Sequence, residues 1–354
     1  MKIERIAVHS LAVPLKRPYR IANQTTESVQ IALVRIEGEN GVTGFGSATP
    51  ESGITGESFD ACVEALNYGE SLLVQTTRDV REHLRELDVL SLATPGARAA
   101  LDMALFDLWA RLAQRPLVDL LGRVHREMPT SITIGILSVD ETLAEADEYV
   151  ARGFRALKVK IGESFEADME RMARLREHVG PSVALRVDAN VGYEPATIEL
   201  CYQQLSALDV EVLEQPSQPE RDADLRVLPA PVRRWLMADE SLHDEGDALN
   251  LARDPRPFGV WNIKLMKCGG IAPAMRIAEV AARNGVDLMW GCMDESEIGI
   301  AAALHAAFAC PATRYLDLDG SFDLARDPAR GGFELVDGCL RTSGRPGLGV
   351  EVTL

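Results

Sequence analysis

Five charged residues, Lys160, Asp188, Glu214, Asp239 and Lys264, follow one another at intervals of 28, 26, 25 and 25 residues, each beside a short apolar run. Three carboxylates between two lysines make a set that can move a proton. Hard carboxylate oxygens suit a divalent cation such as Mg2+, and a substrate carboxylate bound to that cation places its adjacent carbon between the two lysine amines. Abstraction of a proton from that carbon gives an enediolate that the cation stabilises, and return of a proton from the other side inverts the centre. Lysine is a weak base at its ordinary pKa of about 10.4, so the site has to depress it. Lys158 lies two residues before Lys160 and so on the same face of a strand. Its charge, with the cation, lowers the Lys160 pKa, and it can also stabilise the enediolate.

That repeat accommodates one strand, one loop and one helix, which places the five residues at equivalent ends of successive parallel strands. Candidate strands are Ile132–Ile136, Ala156–Ile161, Val183–Val187, Val210–Leu213, Leu236–Ala238, Val260–Ile263, Asp287–Trp290 and Tyr315–Leu318. In an eight-stranded barrel the second and sixth strands, with Lys160 and Lys264, stand opposite each other, and the third to fifth carry the carboxylates along one arc. Strand C-terminal ends form the catalytic face of such a barrel. A single acid at a strand end is more often a cap or loop residue, and a lone Lys-x-Lys more often a solvated strand edge. Here the five are in register, and the flanking residues 154–157 and 161–162 read as a buried parallel strand.

The first third has a different rhythm. Lys2–Leu15 and Val29–Glu37 read as strands, with Asn40-Gly41 turning into a third at Val42–Ser47. Helical patterns follow at Phe59–Leu73, Val80–Leu90 and Ala97–Ala113, the last with Leu101, Leu105 and Leu108 on one face. These predict an α+β domain over residues 1–120, completed by 326–354, whose strand-like tail returns to it, and a barrel over 121–325.

With 54 acidic against 37 basic residues, the formal charge of −17 argues against nucleic acid as a partner. Six cysteines without CxxC spacing predict reduced thiols. The charged start and the shortness of Ile298–Cys310, the longest apolar stretch, give no signal peptide or membrane span, and a cytoplasmic location is expected.

Asp317 and Asp319 share one side of the eighth candidate strand, opposite the fourth, where they suit an ammonium group at the far end of a substrate. Asp317-Leu318-Asp319-Gly320 reads equally well as a turn. Asp294-Glu295-Ser296-Glu297 reads as a solvated loop or helix start, yet it follows the seventh strand at the catalytic end. Gly44-Phe45-Gly46 lacks the third glycine of a dinucleotide site and lies in a hairpin, and His305 and Cys310 read as core.

Lys158-Val159-Lys160, Asp188-Ala189-Asn190, Glu214-Gln215-Pro216, Asp239-Glu240 and Lys264-Leu265-Met266-Lys267-Cys268-Gly269-Gly270 together resemble the muconate-lactonising subgroup of the enolase superfamily, along essentially the whole chain. Asp317-Leu318-Asp319 is similar to the motif with which its dipeptide epimerases hold a free amino group. The resemblance implies an α/β fold, a modified TIM barrel of (β/α)7β type with an α+β capping domain. It implies one Mg2+ per subunit at Asp188, Glu214 and Asp239, catalysis by Lys160, Lys264 and Lys158, and 1,1-proton transfer at the C-terminal residue of a dipeptide. A homo-oligomer is implied as well. Gln24 stands where Ala-Glu epimerases place an arginine, and Glu51, Asp294 and Glu297 resemble the acidic pocket of members that accept cationic dipeptides. Other activities of the scaffold, o-succinylbenzoate synthase or muconate cycloisomerase, and a noncatalytic metal-binding homologue, are the alternatives.

Overall fold

The computed structural model describes residues 1–21, 24–90 and 93–353, with side chains from 18 to 26 outside the description. Eight parallel strands form one sheet in chain order: β5 (Ser131–Ile134), β6 (Ala156–Lys160), β7 (Ala184–Asp188), β8 (Val210–Glu214), β9 (Leu236–Ala238), β10 (Val260–Lys264), β11 (Asp287–Gly291) and β12 (Thr313–Asp317). All eight candidate strands are present. The barrel seam is lightly tied: Thr130 bridges to Leu316, and the Ser131 hydroxyl donates to the Leu316 carbonyl at 3.2 Å.

Strand alternation divides the barrel interior from the jacket of helices. Outward residues such as Leu157, Val159, Leu185 and Val187 are fully buried under that jacket. Inward residues are apolar at the floor and charged at the mouth. Val212, Met237, Val260, Met289 and Tyr315 form a separate apolar cluster, and the Arg186 guanidinium lies 4.6 Å over the Tyr315 ring. One pleat further on stand Asp188, Glu214, Asp239 and Asp317, and two pleats beyond Val260 stands Lys264.

The cap begins with the antiparallel sheet β1 (Ile3–Ile21), β2 (Gln24–Gly38) and β3 (Thr43–Ala48). Helix Phe59–Leu73 forms as its periodicity predicts, and helix Pro95–Leu112 is buried almost all round rather than on one leucine face. It lies between the sheet and the barrel, close enough that a Cβ on Gly46 would stand 1.8 Å from the Ala100 carbonyl oxygen. That contact explains the glycines of β3, which serve packing. Glu57 receives the Gly96 and Ala97 amides at 2.6 and 3.1 Å and so caps the helix from inside.

The tail pairs largely with itself: β13 (Ala329–Arg330) with β16 (Glu351–Val352), and β14 (Phe333–Val336) with β15 (Cys339–Thr342), which also meets β4 (Met128–Pro129). It returns to the cap through Leu348 N, which donates to Asp107 at 2.7 Å, and Leu117 N, which donates to the Gly347 carbonyl at 2.9 Å. All six cysteines are free thiols. Among the described residues no helix is long and apolar enough to cross a membrane.

Candidate active site

Each strand of the arc ends in one carboxylate. Asp188 closes β7 and Glu214 closes β8, paired in register, while Asp239 follows β9. The backbone leaves these ends under constraint. Asn190, Val191 and Gln215 have φ of 40°, 63° and 28°, and positive φ at a β-branched valine is a strained state that the surrounding contacts must hold. Gln215 does part of that holding. Its Oε1 accepts from Asp239 N at 2.9 Å and Ser241 N at 3.1 Å, and its Nε2 donates to the Ser241 hydroxyl at 2.8 Å, tying the ends of β8 and β9 together.

The lysines meet these carboxylates from both sides. Lys160 Nζ donates to Asp188 Oδ2 at 2.6 Å, and Lys264 Nζ to Asp239 Oδ2 at 2.8 Å. Their strands, β6 and β10, lie four places apart in the barrel. Lys158 Nζ sits among three acids, 2.8 Å from Asp317, 2.9 Å from Glu214 and 3.2 Å from Asp188. Asn262 Nδ2, on β10 two strands away, fixes Glu214 at 2.8 Å. Among the described residues no three acidic, histidine or cysteine side chains already stand as a metal-ligand cluster. The donor set nevertheless fits a hard divalent cation, because three buried carboxylates end adjacent strands and an ammonium cation already lies between two of them.

Burial alone would raise the Asp188 carboxyl, but Lys160 and Lys158 outweigh it and pull it down to about 2. Burial raises Glu214 to about 8, with Asp188 pushing the same way against Lys158. Burial would lower Lys158, yet Asp317, Glu214 and Asp188 hold it well above its ordinary value. Lys264 is likewise raised, Asp239 outweighing its burial. Asp239 thus favours the protonated form of the Lys264 amine.

Past β12 the two-residue alternation ends. Asp317 is the last strand residue, and its carboxylate is taken by Lys158 and by the Ser131 hydroxyl at 2.6 Å. Asp319 lies beyond the strand, accepting the Thr133 amide at 2.7 Å. Burial first, then repulsion from Asp317 and Asp323, raises Asp319 to about 7. Asp294 rises to about 6, through burial and then Asp319, with Glu51 adding to it and Lys160 opposing. Glu51 caps the short helix Ser52–Thr55, accepting from Gly53 N at 3.4 Å. Asp294, Glu51 and Asp319 thus belong to one electrostatic neighbourhood.

Glu297 does not join it. As the first residue of helix Glu297–Phe308, it accepts the Gly332 amide at 2.7 Å and anchors the C-terminal segment, which corrects its expected place in the pocket. The side chain of Gln24 lies outside the described residues.

Asn262 and Asp323 have no place in the sequence reading, and Lys267 and Glu295 stand there only inside longer motifs without a role of their own. Lys267 grips Asp239, Asn262 orients Glu214, Asp323 adds charge beside Asp319, and Glu295 is a buried carboxyl raised to about 8 by burial. Asn262 had a signal, since it precedes Lys264 by two residues on one strand.

The N-terminal domain model of mandelate racemase / muconate lactonizing enzyme matches residues 3–122, and an enolase C-terminal domain-like model matches 141–353. The chain is 52% identical over 352 residues to the L-Lys-D/L-Arg epimerase of Methylococcus capsulatus, covering 99% of both chains. It is 49% identical over 354 residues to the L-Lys-D/L-Arg epimerase of Desulforapulum autotrophicum, again over 99% of both. A crystal structure of the Methylococcus capsulatus dipeptide epimerase, complexed with Mg and the dipeptide L-Arg-D-Lys, superposes with a TM-score of 0.97 at 52% identity over 100% of both chains. With a cap and a barrel that both match, this chain belongs to the mandelate racemase / muconate lactonizing enzyme family of the enolase superfamily.

Proposed function

We propose that this protein is a Mg2+-dependent dipeptide epimerase of the muconate-lactonising subgroup. It inverts the Cα of the C-terminal residue and prefers dipeptides carrying Lys or Arg side chains. The observation that carries the reading is that Lys160 and Lys264, on strands four places apart, are each hydrogen-bonded to a member of one buried carboxylate trio. The relatives named L-Lys-D/L-Arg epimerase, and the neighbour complexed with L-Arg-D-Lys, support the choice of substrate.

Asp188, Glu214 and Asp239 are the residues that would hold the ion. When bound, Mg2+ neutralises the carboxylates, draws in the substrate carboxylate and stabilises the negative charge that develops on its oxygens. Lys160 takes the α-proton from one epimer while Lys264 delivers a proton to the opposite face, and the two exchange roles for the other epimer. Lys158, kept protonated by three acids, places a fixed positive charge beside the reacting group. Asp317 and Asp319 receive the dipeptide's ammonium group, and Asp294 and Glu51 face its cationic side chains.

Muconate cycloisomerase or o-succinylbenzoate synthase chemistry has no ammonium group to place beside Asp317 and Asp319. We further propose a cytoplasmic homo-oligomer, on the family resemblance and the reduced cysteines, with gel filtration as the test of assembly. The reaction itself is tested by incubating a dipeptide library in deuterated water with Mg2+ and reading mass gain at the C-terminal residue. Label appears in Lys- and Arg-containing dipeptides if the proposal holds, and an enzyme that labels no dipeptide would refute it.

A further inference from the structure

The segment that carries Lys264 is held from outside the barrel. After Lys264 the chain makes one helical turn, Leu265–Cys268, then passes through Gly269 and Gly270 at φ of +91° and +111° into helix Ile271–Arg283. The cap helix Pro95–Leu112 docks on this turn. Arg98 Nη1 donates to the Gly269 carbonyl at 2.5 Å. Asp102 accepts Ile271 N at 2.6 Å and Ala272 N at 3.3 Å, so a cap residue caps a barrel helix. Arg98 pairs with Asp102 at 3.4 Å and with Asp88 at 2.8 Å, and Arg98 and Asp102 are 1% and 0% exposed.

The two glycines are shaped to this pair. A Cβ on Gly269 would lie 2.9 Å from Arg98 Cδ, and one on Gly270 would lie 2.5 Å from the Asp102 carboxylate. Lys264, the last residue of β10, and Lys267, between it and that docking point, are both hydrogen-bonded to Asp239. Lys160 is supported differently. Its carbonyl accepts from Arg171 Nη2 at 2.8 Å, Arg171 pairs with Asp168 at 2.7 Å, and Asp168 receives Gly162 N at 2.8 Å and the Tyr193 hydroxyl at 2.7 Å. Those four residues belong to the barrel.

We propose that Arg98 and Asp102 are positioning residues for Lys264, so that the cap governs proton transfer on one face of the substrate while Asp168 and Arg171 govern it on the other. The proposal rests on the epimerase reading above. Its signature is one-sided, because the two bases serve opposite epimers. In deuterated water the α-C–H bond breaks toward one lysine, the amine exchanges its proton with solvent, and a deuteron returns to the carbon. Loss of the α-proton from each pure epimer therefore reports the lysine that faces it.

The test measures initial α-proton exchange of Lys- and Arg-containing dipeptides, separately for each C-terminal epimer. Asp102→Asn removes the charge while keeping size and one acceptor, and Arg98→Lys, measured alongside, keeps charge but loses the planar fork. Near-UV circular dichroism selects folded protein. The epimer served by Lys264 is the one whose exchange is lost in Lys264→Ala. For that epimer the cap variants lower exchange at least about 10-fold, since a misplacement of 1 Å costs on the order of 10²-fold, while the other epimer changes less than about 2-fold. Arg171→Lys gives the reverse pattern. Equal losses for both epimers in a folded cap variant, or no loss in either, overturn the positioning role. A wild-type enzyme that exchanges neither epimer of any dipeptide would instead overturn the epimerase reading, and this proposal with it.

Discussion

Lys267 holds Asp239 twice, its ammonium lying 2.5 Å from both the Oδ1 atom and the main-chain carbonyl oxygen. With Lys264 on Oδ2, a single carboxylate is gripped by two lysines three residues apart in one turn of chain. Removing one partner of a buried ion pair leaves charge uncompensated, at a cost of about 3–5 kcal/mol, reduced here because Lys264 remains. Lys267→Met is therefore expected to lose up to about 3 kcal/mol of stability. If Asp239 binds Mg2+, the ion should return part of that loss by binding the folded state. Urea titrations with and without Mg2+ check both statements, and an unchanged stability would show that Lys267 is dispensable to the site.

Replacing either opposed lysine should block inversion while leaving the other half of the chemistry. Lys160→Ala and Lys264→Ala are each expected to lose about 10²- to 10⁴-fold in epimerisation. Each should still exchange the α-proton of the epimer served by the remaining base. Polarimetry follows inversion and proton NMR in deuterated water follows exchange. Near wild-type epimerisation by Lys264→Ala would remove it from the acid/base pair.

Much of this arrangement could be read from the chain alone, for a physical reason. A strand forces alternate side chains to one face, so Lys158 beside Lys160, and one charged residue at each strand end, carry directional information. That reasoning stops where the strand stops. Asp319 reaches the mouth from beyond β12 through a turn, and Glu297 turns away to the C-terminal segment, and no periodicity distinguishes these outcomes. Helix Pro95–Leu112 shows the same limit. Its leucine face is visible, but Arg98 and Asp102 are buried because a second domain covers them, and Asp107 because β3 and the C-terminal segment do. The Gly269-Gly270 pair was seen as part of a motif, and its partners Arg98 and Asp102 lie some 170 residues away.

If Asp317 and Asp319 hold the dipeptide's ammonium group, acetylation of that amine removes the charge they meet. Kinetics with matched free and N-acetylated Lys-containing dipeptides should show a loss of about 30- to 5,000-fold in kcat/KM, since unpairing a buried charge costs about 2–5 kcal/mol. Asp319→Asn should narrow the gap by depressing the free dipeptide. Equal efficiencies for free and acetylated substrates would count against the role of both acids.

His305 predicts an acid-sensitive core. Val118 N donates to its Nδ1 at 2.9 Å, so the ring is a neutral acceptor, and burial lowers its pKa to about 3. The unfolded chain protonates this ring near its ordinary value of about 6.5. A pKa depressed on folding means that the unfolded state binds the extra proton first. Stability is thus unaffected by this group above about pH 6.5 and falls by about 1.4 kcal/mol per unit as the pH drops from there toward 3. Urea titrations of wild type and of His305→Asn, which keeps an acceptor for Val118 N without titrating, should differ by that slope between about pH 6.5 and 5, the other titrating groups being common to both. The same slope in both proteins would assign the acid sensitivity to other groups.

The preference for cationic dipeptides should itself depend on pH. Asp294 is raised to about 6, chiefly by burial and then by Asp319, so its carboxylate is charged at neutral pH and loses that charge below about pH 6. A neutral Asp294 still packs against the side chain but no longer attracts it. The ratio of kcat/KM for a Lys-containing dipeptide to that for an isosteric neutral one isolates this effect, because the titration of the catalytic lysines is common to both substrates. An exposed charge pair is worth about 0 to 1 kcal/mol and a desolvated one a few kcal/mol. For the partly buried Asp294 a ratio of about 10 at neutral pH is expected, shrinking several-fold by about pH 5. Asp294→Asn should show the smaller ratio at every pH, and Glu51→Gln should also lower it at neutral pH. A ratio that stays constant with pH in wild type, and survives both substitutions, would place the source of cation preference elsewhere in the pocket while leaving the proton-transfer machinery of Lys160 and Lys264 intact.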